Sequence, residues 1–100
     1  MIVEIYWTNK AEQSLENIVE YIKIEWSEKS AIKFIKKVDD IINSIKQNPF
    51  AFQMSDSENI RRAVITKQTS LYYEIFEDKI YLLTFWDNRK NPKKIKSDIY

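Results

Sequence analysis

The chain contains no cysteine, no histidine and no glycine, and only two prolines, Pro49 and Pro92. Without cysteine it forms no disulfide, and without cysteine or histidine it lacks the usual ligand sets of zinc sites. A His-based catalytic triad and a histidine general base are excluded in the same way. Carboxylates remain, but their spacing matches neither an EF-hand loop nor a two-metal site, so no metal and no cofactor is expected. The missing glycine moves any positive-φ turn onto residues with side chains. Asp78, Asn88 and Asn91 are the expected carriers, because short polar side chains tolerate the left-handed region best. No apolar run approaches the ~20 residues that span a bilayer. The first ten residues, MIVEIYWTNK, lack the basic start and continuous apolar stretch of a signal peptide. A soluble, cytoplasmic protein with no membrane partner is the expectation.

What is present fits one small domain over residues 1–100, ending in a basic tail over 92–100. A chain of this length buries roughly two-thirds of its unfolded surface without covalent staples. Sixteen basic and fifteen acidic residues leave a net charge of +1, but they are unevenly placed. Arg89, Lys90, Lys93, Lys94 and Lys96 crowd the last fourteen residues, and Arg61, Arg62 and Lys67 precede them. Glu12, Glu16, Glu20 and Glu25 gather near the start. A surface polarised in this way suits an anionic partner on one side, or simply a solvated basic tail.

The stretch from Ile60 to Pro92 is dense in β-branched and aromatic residues and reads as three strands, over 60–67, 70–76 and 79–86. Their short connections, Lys67-Gln68-Thr69 and Glu77-Asp78, predict an antiparallel meander. Upstream, Ile2 to Trp7 alternates, with Val3, Ile5 and Trp7 on the more apolar face. Asn9 with Glu12 resembles a capping box. Ala11, Leu15, Ile18 and Ile22 then recur on one stripe of an amphipathic helix that ends near Trp26. Ser27 caps a second helix with a stripe of Ala31, Phe34, Ile35, Val38, Ile42 and Ile45, which stops at Asn48-Pro49. Residues 50–59 read as a loop, with Phe50, Phe52 and Met54 folding back on the core. The order β-α-α-β-β-β predicts an α+β fold, a helical hairpin packed on a small, mainly antiparallel four-stranded sheet.

Four features together resemble the RelE/ParE superfamily of toxins. They are the element order, Arg61-Arg62 entering the second strand, Leu71-Tyr72-Tyr73 in the third, and the exit Asp87-Asn88-Arg89-Lys90-Asn91-Pro92. The likeness covers about residues 3–92. Two departures stand out. Asp87 lies where many relatives carry a histidine, and Thr66-Lys67-Gln68-Thr69 lacks the glycine that many have there. The resemblance implies the toxin half of a bacterial type II toxin–antitoxin (plasmid stabilisation) module. Such a toxin arrests growth and is neutralised by a cognate antitoxin, with which it can form a toxin–antitoxin hetero-oligomer.

Two mechanisms follow from that resemblance. ParE-like proteins inhibit DNA gyrase without chemistry, and the two long helices here look more like that branch. The interface would then draw on Trp86, Arg89, Lys90 and Lys93. RelE-like proteins enter the ribosome and cut messenger RNA without a metal. In that reading Arg61, Arg62, Lys67 and Arg89 would stabilise the phosphorane, with Tyr73, Asp87 or Tyr100 as weaker candidates for proton transfer. Tyr72 and Glu74 are further candidates beside them. Phosphate neutralisation dominates nucleic-acid affinity, so a net charge of +1 supports the second mechanism less. A third reading is a detoxified interaction module on the same fold.

Overall fold

The computed structural model describes residues 3–55 and 59–95. Strand β1 (Glu4–Trp7) leads into helices α1 (Asn9–Glu25) and α2 (Glu28–Gln47), then β2 (Gln53–Met54), β3 (Ile60–Val64), β4 (Thr69–Phe76) and β5 (Lys79–Asp87). A 3-10 turn, Pro92–Lys94, follows β5. The strands form one sheet in the order β1-β5-β4-β3-β2. The meander over β3, β4 and β5 is antiparallel as expected. β1 joins the opposite edge, parallel to β5, with Glu4 opposite Lys79 and Trp7 opposite Leu82. The helical hairpin is the long crossover that lets β1 run in this direction. The two-residue β2, read from sequence as loop, makes the sheet five-stranded through Gln53–Arg62 and Met54–Arg61 pairing.

Both helices end where short polar residues and proline dictate. Ser27 accepts the Ser30 N–H at 3.0 Å, and Asn48 closes α2 before Pro49. At α1 the cap is Thr8 rather than Asn9. Its hydroxyl accepts the Ala11 N–H at 3.1 Å and donates to the carbonyls of Leu82 (2.7 Å) and Leu83 (3.1 Å). One side chain therefore ends β1, starts α1 and ties both to β5. Ser14, a turn later, accepts the Phe85 N–H at 2.9 Å.

The sheet has two unlike faces. Under the hairpin, Leu71, Tyr73, Ile80, Leu82 and Phe85 pack against Ala11, Phe34, Val38 and Ile45. Leu15, Ile18 and Ile22 of α1 lean on this core, as their spacing predicts. On the other face Ile60, Tyr72, Trp86 and Ile95 form a second, smaller cluster. A register shift makes this division possible. Tyr72 pairs with Thr84 and Tyr73 with Leu82, so Leu83 is an extra residue in β5. A bulge of this kind lets Leu82 and Phe85 share one face although they are an odd number of positions, three, apart.

Several side chains depart from the sequence reading. Trp7 is exposed and stacks on Phe85 with ring centroids 5.8 Å apart, since β1 is an edge strand beyond the hairpin's cover. Ile35, Phe50 and Met54 are also exposed, whereas Phe52 packs edge-on against Tyr73. Among the described residues, the positive φ angles fall on Asn59 (66°) and Glu77 (58°). Neither Asp78, Asn88 nor Asn91 carries one. Among the described residues, no helix is long and apolar enough to cross a membrane.

Candidate functional site

The end of β5 and the connection between β3 and β4 meet at one end of the sheet. Asn88 donates its backbone N–H to the Gln68 carbonyl (2.8 Å) and its side-chain amide to the Lys67 carbonyl (3.2 Å). These two bonds fix the path of the basic exit. Asp87 then organises it. Its carboxylate accepts the Arg89 backbone N–H at 2.9 Å and the guanidinium through Nε (2.9 Å) and Nη2 (2.8 Å). Two parallel bonds of this type hold a guanidinium in a defined plane. The Arg89 fork keeps the Asp87 carboxyl below the usual carboxylate range, and Asp87 in turn raises Arg89. Lys90 lies over the Trp86 ring, 5.6 Å from its centroid.

Beside this exit a groove of about 590 Å³ opens between the sheet end and the helical hairpin. Phe34 and Phe85 contribute to its lining from the buried core, and Tyr21 and Trp26, both exposed, contribute from the end of the hairpin. Its charges come from three places: Lys10 on α1, Lys33 and Lys37 on α2, and Arg89 and Lys90 on the exit. Asp87 is the acidic residue among those lining it, and Arg89 already neutralises that carboxylate. The result is a basic concavity with aromatic walls, the composition of a protein-recognition surface enriched in Arg and aromatics. Lys10, Lys33, Lys37, Tyr21 and Trp26 had no motif to mark them. They come from both helices, and only the packing brings them to the exit.

The residues expected from sequence are spread over the molecule. Arg89 and Lys90 line the groove. Lys93 is exposed on the 3-10 turn, with its N–H on the Asn91 side-chain oxygen at 3.0 Å. Lys67 is exposed on the β3–β4 connection. Trp86, expected at a target interface, is buried at 6 % exposure in the cluster on the opposite face, although it also contributes to the lining of the groove. Its indole N–H has no hydrogen-bond partner among the described residues.

Arg61 and Arg62 follow the strand alternation to opposite faces. Arg61 donates to the carbonyls of Phe50 (3.2 Å) and Phe52 (2.7 Å) and lies over the Phe50 ring, which ties down the loop before β2. Arg62 donates to the Ser70 hydroxyl at 3.0 Å on the other face. Tyr73 is fully buried, and its hydroxyl donates to the Pro49 carbonyl at 2.7 Å. Burial pushes its pKa up to about 12. It is a core residue beyond the reach of a substrate. Tyr72 is buried on the opposite face and Glu74 is half-buried. Tyr100 lies outside the described residues. No cluster of acidic residues suited to a metal ion occurs among the described residues.

Comparison with known proteins agrees with this architecture. The chain superposes on a protein of the chromosomal ParDE toxin–antitoxin system from P. aeruginosa with a TM-score of 0.76 and 18 % identity. That match covers 86 % of this chain and 96 % of the other. A YoeB/ParE toxin from Agrobacterium tumefaciens gives 0.60 at 16 % identity, covering 86 % and 99 %. A chain of the E. coli DinJ–YafQ toxin–antitoxin complex gives 0.61 at 8 % identity, covering 89 % and 96 %. These identities speak for the fold alone. No curated protein matches the chain in sequence. A family model described as the ParE toxin of the type II toxin–antitoxin system parDE matches residues 5–92, nearly the whole fold and the whole of the Asp87–Arg89 turn, and the chain belongs to that family.

Proposed function

We propose that this protein arrests bacterial growth by binding DNA gyrase, and that a cognate antitoxin neutralises it. The observation that carries this reading is the basic, aromatic-walled groove at the β5 exit, a ready interface that requires no chemistry. The alternative mechanism requires Arg61, Arg62, Lys67 and Arg89 to converge on one phosphate. Instead Arg61 and Arg62 face opposite ways, and the Arg89 guanidinium is engaged by Asp87. A transition state is stabilised by donors preorganised around one developing charge, and these four are not so arranged. Solved relatives include members of toxin–antitoxin complexes, which supports an antitoxin partner here.

The test is induced expression in a bacterial host, read within minutes for message integrity at ribosome-bound codons and for plasmid topology. Gyrase-linked DNA breaks with intact messages are expected. Cleaved messages with normal topology would replace this reading with ribosome-dependent RNA cleavage, and no growth effect would leave a detoxified interaction module. Arg89→Ala should relieve growth arrest at equal soluble expression, because it removes a cation from the groove rim without touching the core. Undiminished toxicity of that variant would remove Arg89 from the interface.

A further inference from the structure

The groove is built from more than the exit motif, and the additional residues say what it takes. Lys33 and Lys37 are four residues apart on α2 and both line it. Like charges at this spacing destabilise a helix, and Lys29 extends the same row by one more turn. On the adjoining row Lys36 pairs with Asp40 at 3.9 Å, whereas neither Lys33 nor Lys37 has an ion pair among the described residues. The helix thus carries a repulsive row on the side that faces Arg89 and Lys90 across the cavity. Tyr21 and Trp26 stand at the same mouth with 52 % and 75 % of their surface exposed, and the Tyr21 side chain also meets the Arg89 side chain there. A cationic rim around aromatic walls is complementary to carboxylates flanking an apolar or aromatic side chain.

The size and surroundings of the site favour a short polypeptide segment over a nucleic acid. About 590 Å³ lies within the roughly 300–1,000 Å³ of sites that enclose a few chemical groups. A phosphodiester strand gains affinity by neutralising many phosphates along a continuous basic track. Here the track stops, because Glu12, Glu16 and Glu20 are exposed on the next face of α1 and the whole chain carries only +1. We propose that Lys33, Lys37, Tyr21 and Trp26 complete, with Arg89 and Lys90, a receptor for an acidic segment of the target protein that inserts an apolar side chain between the aromatics. This assignment rests on the gyrase-directed reading above and names the chemistry its target must present.

The experiment compares the wild-type protein with Lys33→Glu/Lys37→Glu, Lys33→Arg/Lys37→Arg and Trp26→Ala. Each is tested for binding to DNA gyrase, to the cognate antitoxin and to a single-stranded oligonucleotide of about twelve nucleotides. Thermal melting shows that each variant folds. Charge reversal should weaken gyrase binding at least about tenfold, and the arginine pair should retain it, since an exposed carboxylate accepts either cation. Trp26→Ala should cost about tenfold as well, and wild-type affinity should fall as salt is raised. Unchanged gyrase binding by the charge-reversed protein overturns the groove while leaving the gyrase-directed function standing. A loss confined to the antitoxin overturns it too, by giving the groove to another occupant. So does tighter binding of the oligonucleotide than of gyrase through the same lysines. A folded wild-type protein with no affinity for gyrase removes the proposed function, and the groove's assignment falls with it.

Discussion

The two faces of the sheet are built from the same kinds of residue and covered very differently. One lies under two long helices, with Tyr73, Leu71 and Leu82 fully buried. Among the described residues, the other is covered at the C-terminal end by the 3-10 turn and Ile95, which packs with Ile60, Tyr72 and Trp86. Tyr72 and Tyr73 are neighbours in β4, yet they belong to different cores because successive strand residues point to opposite faces. The thick side supplies stability. The thin side docks the segment that follows the basic exit, so the position of Arg89 and Lys90 depends on the smaller of the two clusters. In such a design the segment bearing a functional surface opens locally at a lower free energy than the fold as a whole.

That comparison breaks most directly at the two tyrosines. Tyr73→Ala removes an aromatic ring from the closed core and frees the Pro49 carbonyl, and should cost ~3–5 kcal/mol in urea unfolding. Tyr72→Ala should cost about half of that, nearer ~2 kcal/mol, because its surroundings collapse more easily. Equal costs would show that the thin side is as well packed as the thick one. The phenol also carries a pH signature. With its folded pKa raised to about 12, Tyr73 contributes stability that is complete below the ordinary tyrosine value of 10.0 and is lost as pH rises toward 12. Tyr73→Phe should remove that alkaline decline, as followed by circular dichroism.

Ile95→Ala sharpens the same contrast at smaller cost. It should lower global stability by only about 1 kcal/mol, since the side chain caps a cluster and is not enclosed by one. Amide exchange over residues 92–95 should accelerate well before that of β4. Uniform acceleration across the sheet would mean that the two clusters open together.

Glu77 gives a gain instead of a loss. A non-glycine residue at φ 58° is held in the left-handed region, and Glu77→Gly should raise stability by about 0.5–1 kcal/mol in thermal melting. Destabilisation would mean that glycine's freedom in the unfolded chain outweighs the relief.

The smallest effect belongs to Asp87. Its carboxyl is lowered mainly by the Arg89 side chain, so its contribution is full above the ordinary carboxylate value and disappears as pH falls through the lowered folded value. The Arg89 Hε resonance should report that titration at an acidic midpoint. A midpoint at or above the ordinary value would mean that the fork is open in solution.

Much of this was legible in the residues themselves. The helix stripes, the Ser27 cap, the stop at Asn48-Pro49 and the β3-β4-β5 meander follow from periodicity and local chemistry, which act over a few residues. Of the groove, the part that showed was the β5 exit, Trp86, Asp87, Arg89 and Lys90, as an aromatic strand end followed by a basic cluster. The face that Trp86 occupies was not legible, because alternation along β5 does not count the extra residue at Leu83, nor does it reveal that Ile95 returns over the far face. Thr8 was missed as the α1 cap because its main partners, the Leu82 and Leu83 carbonyls, lie more than seventy residues away.

The sequence by itself determined which segments are helix and strand, which faces are apolar, and that histidine, thiol and disulfide chemistry play no part. Those properties depend on side-chain type and on neighbours within a turn or two. Tertiary structure alone decided that β1 closes the sheet parallel to β5 and that Arg61 and Arg62 serve opposite faces with different partners. It also decided that lysines of two helices meet the β5 exit around one groove. Such meetings are set by how layers pack and where a strand shifts register, and no local pattern in the chain encodes them.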